Sequence, residues 1–135
     1  MPGNDAMSPS ARANQVFSVT LFVDDLAETE RFYHEVFGMP LVHKDADAIA
    51  YRFPNIVVNL LLASAAPELI VPAPVGPRDT PARMMLTLEV DDVDAFAVHL
   101  RALGVRILNG PLNRPWGPRT VTIADPSGHC WELSS

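Results

Sequence analysis

The segment Thr20-Leu21-Phe22-Val23-Asp24-Asp25-Leu26 returns as Thr87-Leu88-Glu89-Val90-Asp91-Asp92-Val93. Five of the seven positions are identical, and the offset of 67 residues is about half of the 135-residue chain. A chain that repeats at half its length is built from two like supersecondary units, and neither can bury its apolar face alone. The two copies must therefore share one core.

Each copy has the same local physics. Phe17–Val23 is rich in β-branched and aromatic residues and apolar on both faces, as a covered strand should be. Asp24 or Asp25 then caps a helix by accepting first-turn N–H groups. Leu26, Phe32, Tyr33, Val36 and Phe37 form an apolar stripe at helical spacing, and Gly38 ends it. The second copy predicts a strand over Met84–Val90 and a cap at Asp91 or Asp92. Its stripe is Val93, Phe96, Ala97, Leu100 and Leu103, closed by Gly104.

Three short strands should follow each helix. In the first half they are Leu41–Lys44, Ala48–Phe53 and Ile56–Leu62, and in the second Val105–Leu108, Arg119–Ile123 and His129–Leu133. Pro54-Asn55 and Asp125-Pro126-Ser127-Gly128 supply the turns. The expected fold is α+β, βαβββ twice, with helices on one sheet face and the other free to curl around a ligand.

Composition removes several function classes. The chain carries a net charge of −6, and its ten Lys plus Arg are scattered, so no cationic track for nucleic acid exists. No apolar run approaches the roughly 20 residues of a membrane-spanning helix. Met1–Asn14 is polar and lacks the apolar core of a secretory signal, which makes a cytoplasmic location the expectation. Cys130 stands alone and forms no intrachain disulfide. An acidic surface suits small molecules, cationic ones included.

The repeat joins two further motifs. Val23-Asp24-Asp25-Leu26 leads to R-F-Y-H-E-V-F-G-M (Arg31–Met39), and the chain closes on D-P-S-G-H-C-W-E-L (Asp125–Leu133). Together these resemble the vicinal-oxygen-chelate superfamily of glyoxalases, bleomycin resistance proteins and extradiol dioxygenases. Arg114-Pro115-Trp116-Gly117-Pro118-Arg119 is similar to a segment common in the bleomycin-resistance-like branch. The resemblance implies a single domain over 15–135, with modules at about 15–63 and 83–135, a Pro-rich linker over 64–82 and a disordered tail over 1–14. It further implies a curved, mostly antiparallel sheet around a central cavity, helices outside, and assembly as a homodimer.

Metal-dependent members of such a family place His, Glu or Gln at one first-strand and one last-strand position per module. The resemblance carries these positions onto Ser18, Asn59, Met85 and Glu132. A hydroxyl, an amide, a thioether and one carboxylate make a poor set for a hard or borderline divalent ion. No cofactor is expected, and a divalent metal is disfavoured. His34 and His99 fall on helices, His43 on a short strand, and His129 has the strand parity opposite to Glu132. All four read as surface or cap-side histidines.

Alternation along the strands predicts the cavity lining. Ser18, Thr20 and Phe22 share a face, as do Met85, Thr87 and Glu89; Asn59 goes with Val57 and Leu61, and Glu132 with Cys130. Thr120 and Thr122 complete the lining. The opposite parity is uniformly apolar and belongs under the helices. Glu132 is the candidate catalytic acid or base, against a satisfied polar residue. Glu89 is placed as a second negative charge or a solvated rim residue, and Trp116 as a stacking platform or loop anchor. Arg119 is placed to bind an anion or pair with a surface Asp. Two functions follow. One is metal-independent binding of an aromatic or cationic compound, such as an antibiotic. The other is an enzyme of the same fold, a lyase, isomerase or dioxygenase, using Glu132 on a small oxygenated substrate.

Overall fold

The computed structural model describes residues 14–135, so the tail expected over 1–14 lies, but for Asn14, outside the described residues. The first module runs β1 (Ser18–Val23), α1 (Leu26–Phe37), β2 (Leu41–Lys44), β3 (Ala48–Arg52) and β4 (Val57–Leu62). A 3-10 turn at Ala63–Ala65 and a short helix α2 (Pro67–Ile70) open the linker. The second module is β5 (Met85–Glu89), α3 (Val93–Ala102), β6 (Arg106–Asn113), β7 (Arg119–Ala124) and β8 (Cys130–Ser134). Both are βαβββ, and they form two four-stranded sheets ordered β1-β4-β3-β2 and β5-β8-β7-β6. β1 pairs with β4 and β5 with β8 in parallel, and the remaining pairs are antiparallel. The sheets are not closed on each other.

Of each Asp-Asp pair the second residue is the cap. Asp25 accepts from Glu28 N at 2.9 Å and Asp92 from Ala95 N at 3.1 Å. Gly38 ends α1 at φ 62°, a conformation that a Cβ disfavours.

The apolar strand parity goes where it should. Leu21, Val23, Val58, Leu60, Val121, Ile123 and Leu133 are buried in one core drawn from both modules. Trp131 of β8 enters the aromatic group of the first module, its ring 4.8 Å from Phe37 and 5.9 Å from Phe53, centroid to centroid. Burying such a ring stabilises the native state by about 3–5 kcal/mol, the usual cost of its truncation.

Two elements depart from expectation. β6 continues through Pro111 to Asn113 instead of stopping at Leu108. Its register against β7 slips at Ile107/Asn109 and Asn109/Leu112, and Gly110 sits between at φ 89°. The bulge lets the strand bend past the proline instead of ending there. The linker is also more than a connection. Ala65, Ala66 and Val75 pack on Ala48, Leu61 and Phe22, so the linker covers part of the helix-free face of the first sheet. Among the described residues, no helix is long and apolar enough to cross a membrane.

Candidate functional site

The turn from β7 to β8 is organised by a buried carboxylate. Asp125 Oδ1 accepts from Ser127 N at 2.9 Å and His129 N at 2.8 Å, while Oδ2 accepts from Tyr33 OH at 2.7 Å. Trp131 Nε1 in turn donates to the Tyr33 oxygen at 3.1 Å. Burial, with the Asp125 charge adding to it, pushes the Tyr33 phenol well above its usual range. The turn thus locked delivers His129 to β1, where its Nε2–H donates to Phe22 O at 2.7 Å. A carbonyl oxygen only accepts, so the proton is on Nε2.

Arg78 brings the linker to the same turn. Its Nη2 donates to Pro126 O at 2.7 Å, and its guanidinium lies 3.7 Å from Asp24 and 3.6 Å from Glu28. Arg78 O approaches Gly128 so closely that a Cβ there would lie 3.0 Å away, and Gly128 has φ 94°. Between linker, β1 and this turn is a half-open cavity of about 410 Å³. Thr20 and Phe22 form its β1 wall, residues 76–78 and 80–84 its linker wall, and His129 and Cys130 its third side. The volume lies within the roughly 300–1,000 Å³ range of small-molecule pockets.

Of the residues expected to bind ligand, only Thr20 and Phe22 line this cavity. The others lie on the open sheet faces or farther out. Asn59 Nδ2 donates to Thr20 Oγ1 at 3.3 Å, and Thr87 Oγ1 donates to Glu132 Oε1 at 3.1 Å. These pairs are equivalent in the two modules, because register sets Thr20 opposite Asn59 and Thr87 opposite Glu132. Ser18 is instead opposite Val57 and Met85 opposite Cys130. Ser18, Thr87 and Glu89 are exposed and Glu132 is half-buried. Trp116 is 72% exposed, with the Arg114 guanidinium 5.8 Å over its ring, so it neither anchors its loop in the core nor lines the cavity. Arg119 grips Asp94 with two bonds of 2.8 Å, the surface pairing of its two expected roles, and holds that carboxyl below its usual range. Thr120 and Thr122 are buried, and Thr120 Oγ1 accepts from Arg114 Nε at 2.9 Å.

The donor set does not fit a divalent metal. Asn59 offers a neutral amide oxygen, Ser18 a hydroxyl and Met85 a thioether facing solvent, which leaves the Glu132 carboxylate as the one strong donor of the four. Among the described residues, no three of His, Cys, Asp and Glu come together as a metal would require.

His129 corrects the sequence expectation. Strand alternation turns it away from Glu132, but it precedes β8, in the turn, where alternation does not apply. Instead it is half-buried and lines the cavity. Cys130 begins β8 on the Glu132 face, as expected, half-buried and not fully buried. His43 and His34 are exposed, His43 beside Asp45 at 2.7 Å, and His99 Nε2 donates to Glu35 O at 2.9 Å between the helices. Arg78, Arg83 and Met84 were missed because prolines mark the linker as a connection and carry no signal of what it covers. The D-P-S-G turn was the usable clue to His129, since an Asp heading such a turn binds the N–H groups that follow it.

The family model "Glyoxalase/Bleomycin resistance protein/Dioxygenase superfamily" matches residues 15–133. The fold is similar to that of a glyoxalase-related enzyme from Fulvimarina pelagi, 30% identical, TM-score 0.79, covering 89% of this chain and 86% of that one. It is also similar to a lactoylglutathione lyase from Agrobacterium tumefaciens, at 24% identity and TM-score 0.71, covering 94% of both chains. A glyoxalase/bleomycin resistance protein/dioxygenase from Nocardioides aligns at 21% identity and TM-score 0.80, covering 97% of this chain and 87% of that one.

Proposed function

The chain belongs to the glyoxalase/bleomycin resistance protein/dioxygenase superfamily, and from that premise we propose that it binds a small aromatic compound without a metal, in the cavity beneath its linker. The observation that carries this is the linker itself. By covering part of the helix-free face of the first sheet it turns an open surface into a walled, largely apolar space of about 410 Å³. Apolar walls with a few fixed polar groups are what hold and orient a small ligand. Phe22 supplies an aromatic surface, and the Thr20 hydroxyl, which accepts from Asn59, keeps its own proton to donate. The poor donor chemistry of Ser18, Asn59, Met85 and Glu132 favours binding over metal-assisted turnover. The Arg114–Arg119 segment favours the bleomycin-resistance-like, sequestering branch.

Thermal unfolding tests this directly. Proflavine or 1-anilinonaphthalene-8-sulfonate, at a hundred times its dissociation constant, should add about 2.7 kcal/mol and raise Tm by several degrees. Stoichiometric Ni²⁺, Zn²⁺, Mn²⁺ or Fe²⁺ should leave Tm unchanged, and a large metal-dependent rise would overturn the metal-free assignment. Ala82 is exposed on the linker wall, so Ala82→Trp should fill the cavity and weaken dye binding without unfolding the chain.

One observation favours a second reading, in which the chain is an enzyme. Glu132 is held by Thr87 on one oxygen only, which leaves Oε2 as a candidate base on the open sheet face, and the Fulvimarina relative is described as an enzyme. A substrate turned over by the wild type and not by Glu132→Gln would establish it.

A further inference from the structure

Building on that reading, we propose that the cavity selects a small aromatic anion, an aryl carboxylate or sulfonate, with its ring against Phe22 and Met84 and its charge at Arg83. The whole chain is acidic, at −6, and taken alone would favour a cation. Charge acts over a Debye length of about 8 Å at physiological salt, so the side chains at the mouth decide the sign.

Those side chains are cationic. Arg78 and Arg83 both line the cavity, and Asp24 is the one carboxylate among the described residues that do. Asp24 lies 3.7 Å from Arg78, so at the cavity these two charges offset one another; Glu28, 3.6 Å from the same guanidinium, lies outside the lining. Arg83 has no ion-pair partner among the described residues and stands exposed on the linker wall. His129 commits its proton to Phe22 O and adds no competing negative charge. The remaining walls suit an aromatic ring: Phe22, Pro77 and Ala82 are apolar, and Met84 and Cys130 bring polarisable sulfur. A planar guanidinium at the rim matches a carboxylate or sulfonate through two parallel hydrogen bonds.

Two dyes that differ by one sulfonate isolate the sign. Fluorescence titration should show 1-anilinonaphthalene-8-sulfonate binding about twofold to fivefold more tightly than neutral N-phenyl-1-naphthylamine, the range of a rim ion pair. Arg83→Gln should remove that preference, weakening the sulfonated dye far more than the neutral one. Raising sodium chloride to about 0.5 M should do the same, because it screens an exposed pair. Equal affinity for both dyes, an unchanged preference in Arg83→Gln, or binding of cationic proflavine alone would each overturn the anion selectivity while the cavity keeps its function. If none of the three dyes binds, the binding function itself fails, and the selectivity with it.

Discussion

Tyr33 shows how much one hydroxyl can organise. It donates to Asp125 Oδ2 and accepts from Trp131 Nε1, and all three residues are buried. Tyr33→Phe leaves a carboxylate oxygen and an indole N–H without that partner, so urea denaturation should show a loss of about 2–3 kcal/mol. Its titration adds a pH signature. The folded phenol sits above the ordinary value of 10.0, so its contribution is complete below pH 10 and fades as pH rises through the folded value. The wild type should therefore lose stability above pH 10 more steeply than Tyr33→Phe; identical alkaline slopes would show that Tyr33 carries no such linkage. Gly128, at φ 94° and under Arg78 O, predicts that Gly128→Ala costs about 1–3 kcal/mol in the same assay. At this scale the sequence was legible where chemistry is local. Asp25 and Asp92 cap helices by contacts three residues away. Tyr33 was assigned to the core, but its partner Asp125 is 92 positions distant, and no local pattern signals such a pair.

Among the elements, the strands followed their alternation to within a residue or two, because one apolar face fixes each register. β6 broke the rule where Gly110 and Pro111 meet. Pro111 alone reads as a stop, and only the positive φ of Gly110, with Thr120 O close beneath it, explains why pairing resumes. The linker was the larger gap. Its prolines and small residues have no periodicity, yet Ala65, Ala66 and Val75 find a complementary surface once β1, β3 and β4 are assembled. A surface made by three strands is invisible to any window along the chain. The linker rests on small side chains and one arginine, so it should open without the rest. Hydrogen exchange should show Thr80 N, which donates to Pro77 O at 3.0 Å, exchanging far sooner than strand amides. Arg78→Ala should speed it further while global stability falls by no more than about 1 kcal/mol. Equal protection of Thr80 and β4 would mean the cover is part of the core.

At the scale of the whole molecule, the repeat foretold two units that cannot stand alone, and the shared core gives that statement a physical form. Trp131 belongs to the second module by sequence and to the first by contact, packed on Tyr33, Phe37 and Phe53. Separating the modules would expose that ring, the Tyr33–Asp125 bond and the His129 bond to Phe22 O together. The modules should therefore unfold as one unit. The chain has two tryptophans, and Trp116 is 72% exposed, so Trp116→Phe costs little and leaves Trp131 as the sole reporter of the junction. In that variant, Trp131 emission and far-UV circular dichroism should trace one urea transition with a common midpoint. Red-shifted emission at urea concentrations that leave the helical signal intact would mean the junction yields before its halves, and that each module holds more of its own core than the contacts of Trp131 suggest.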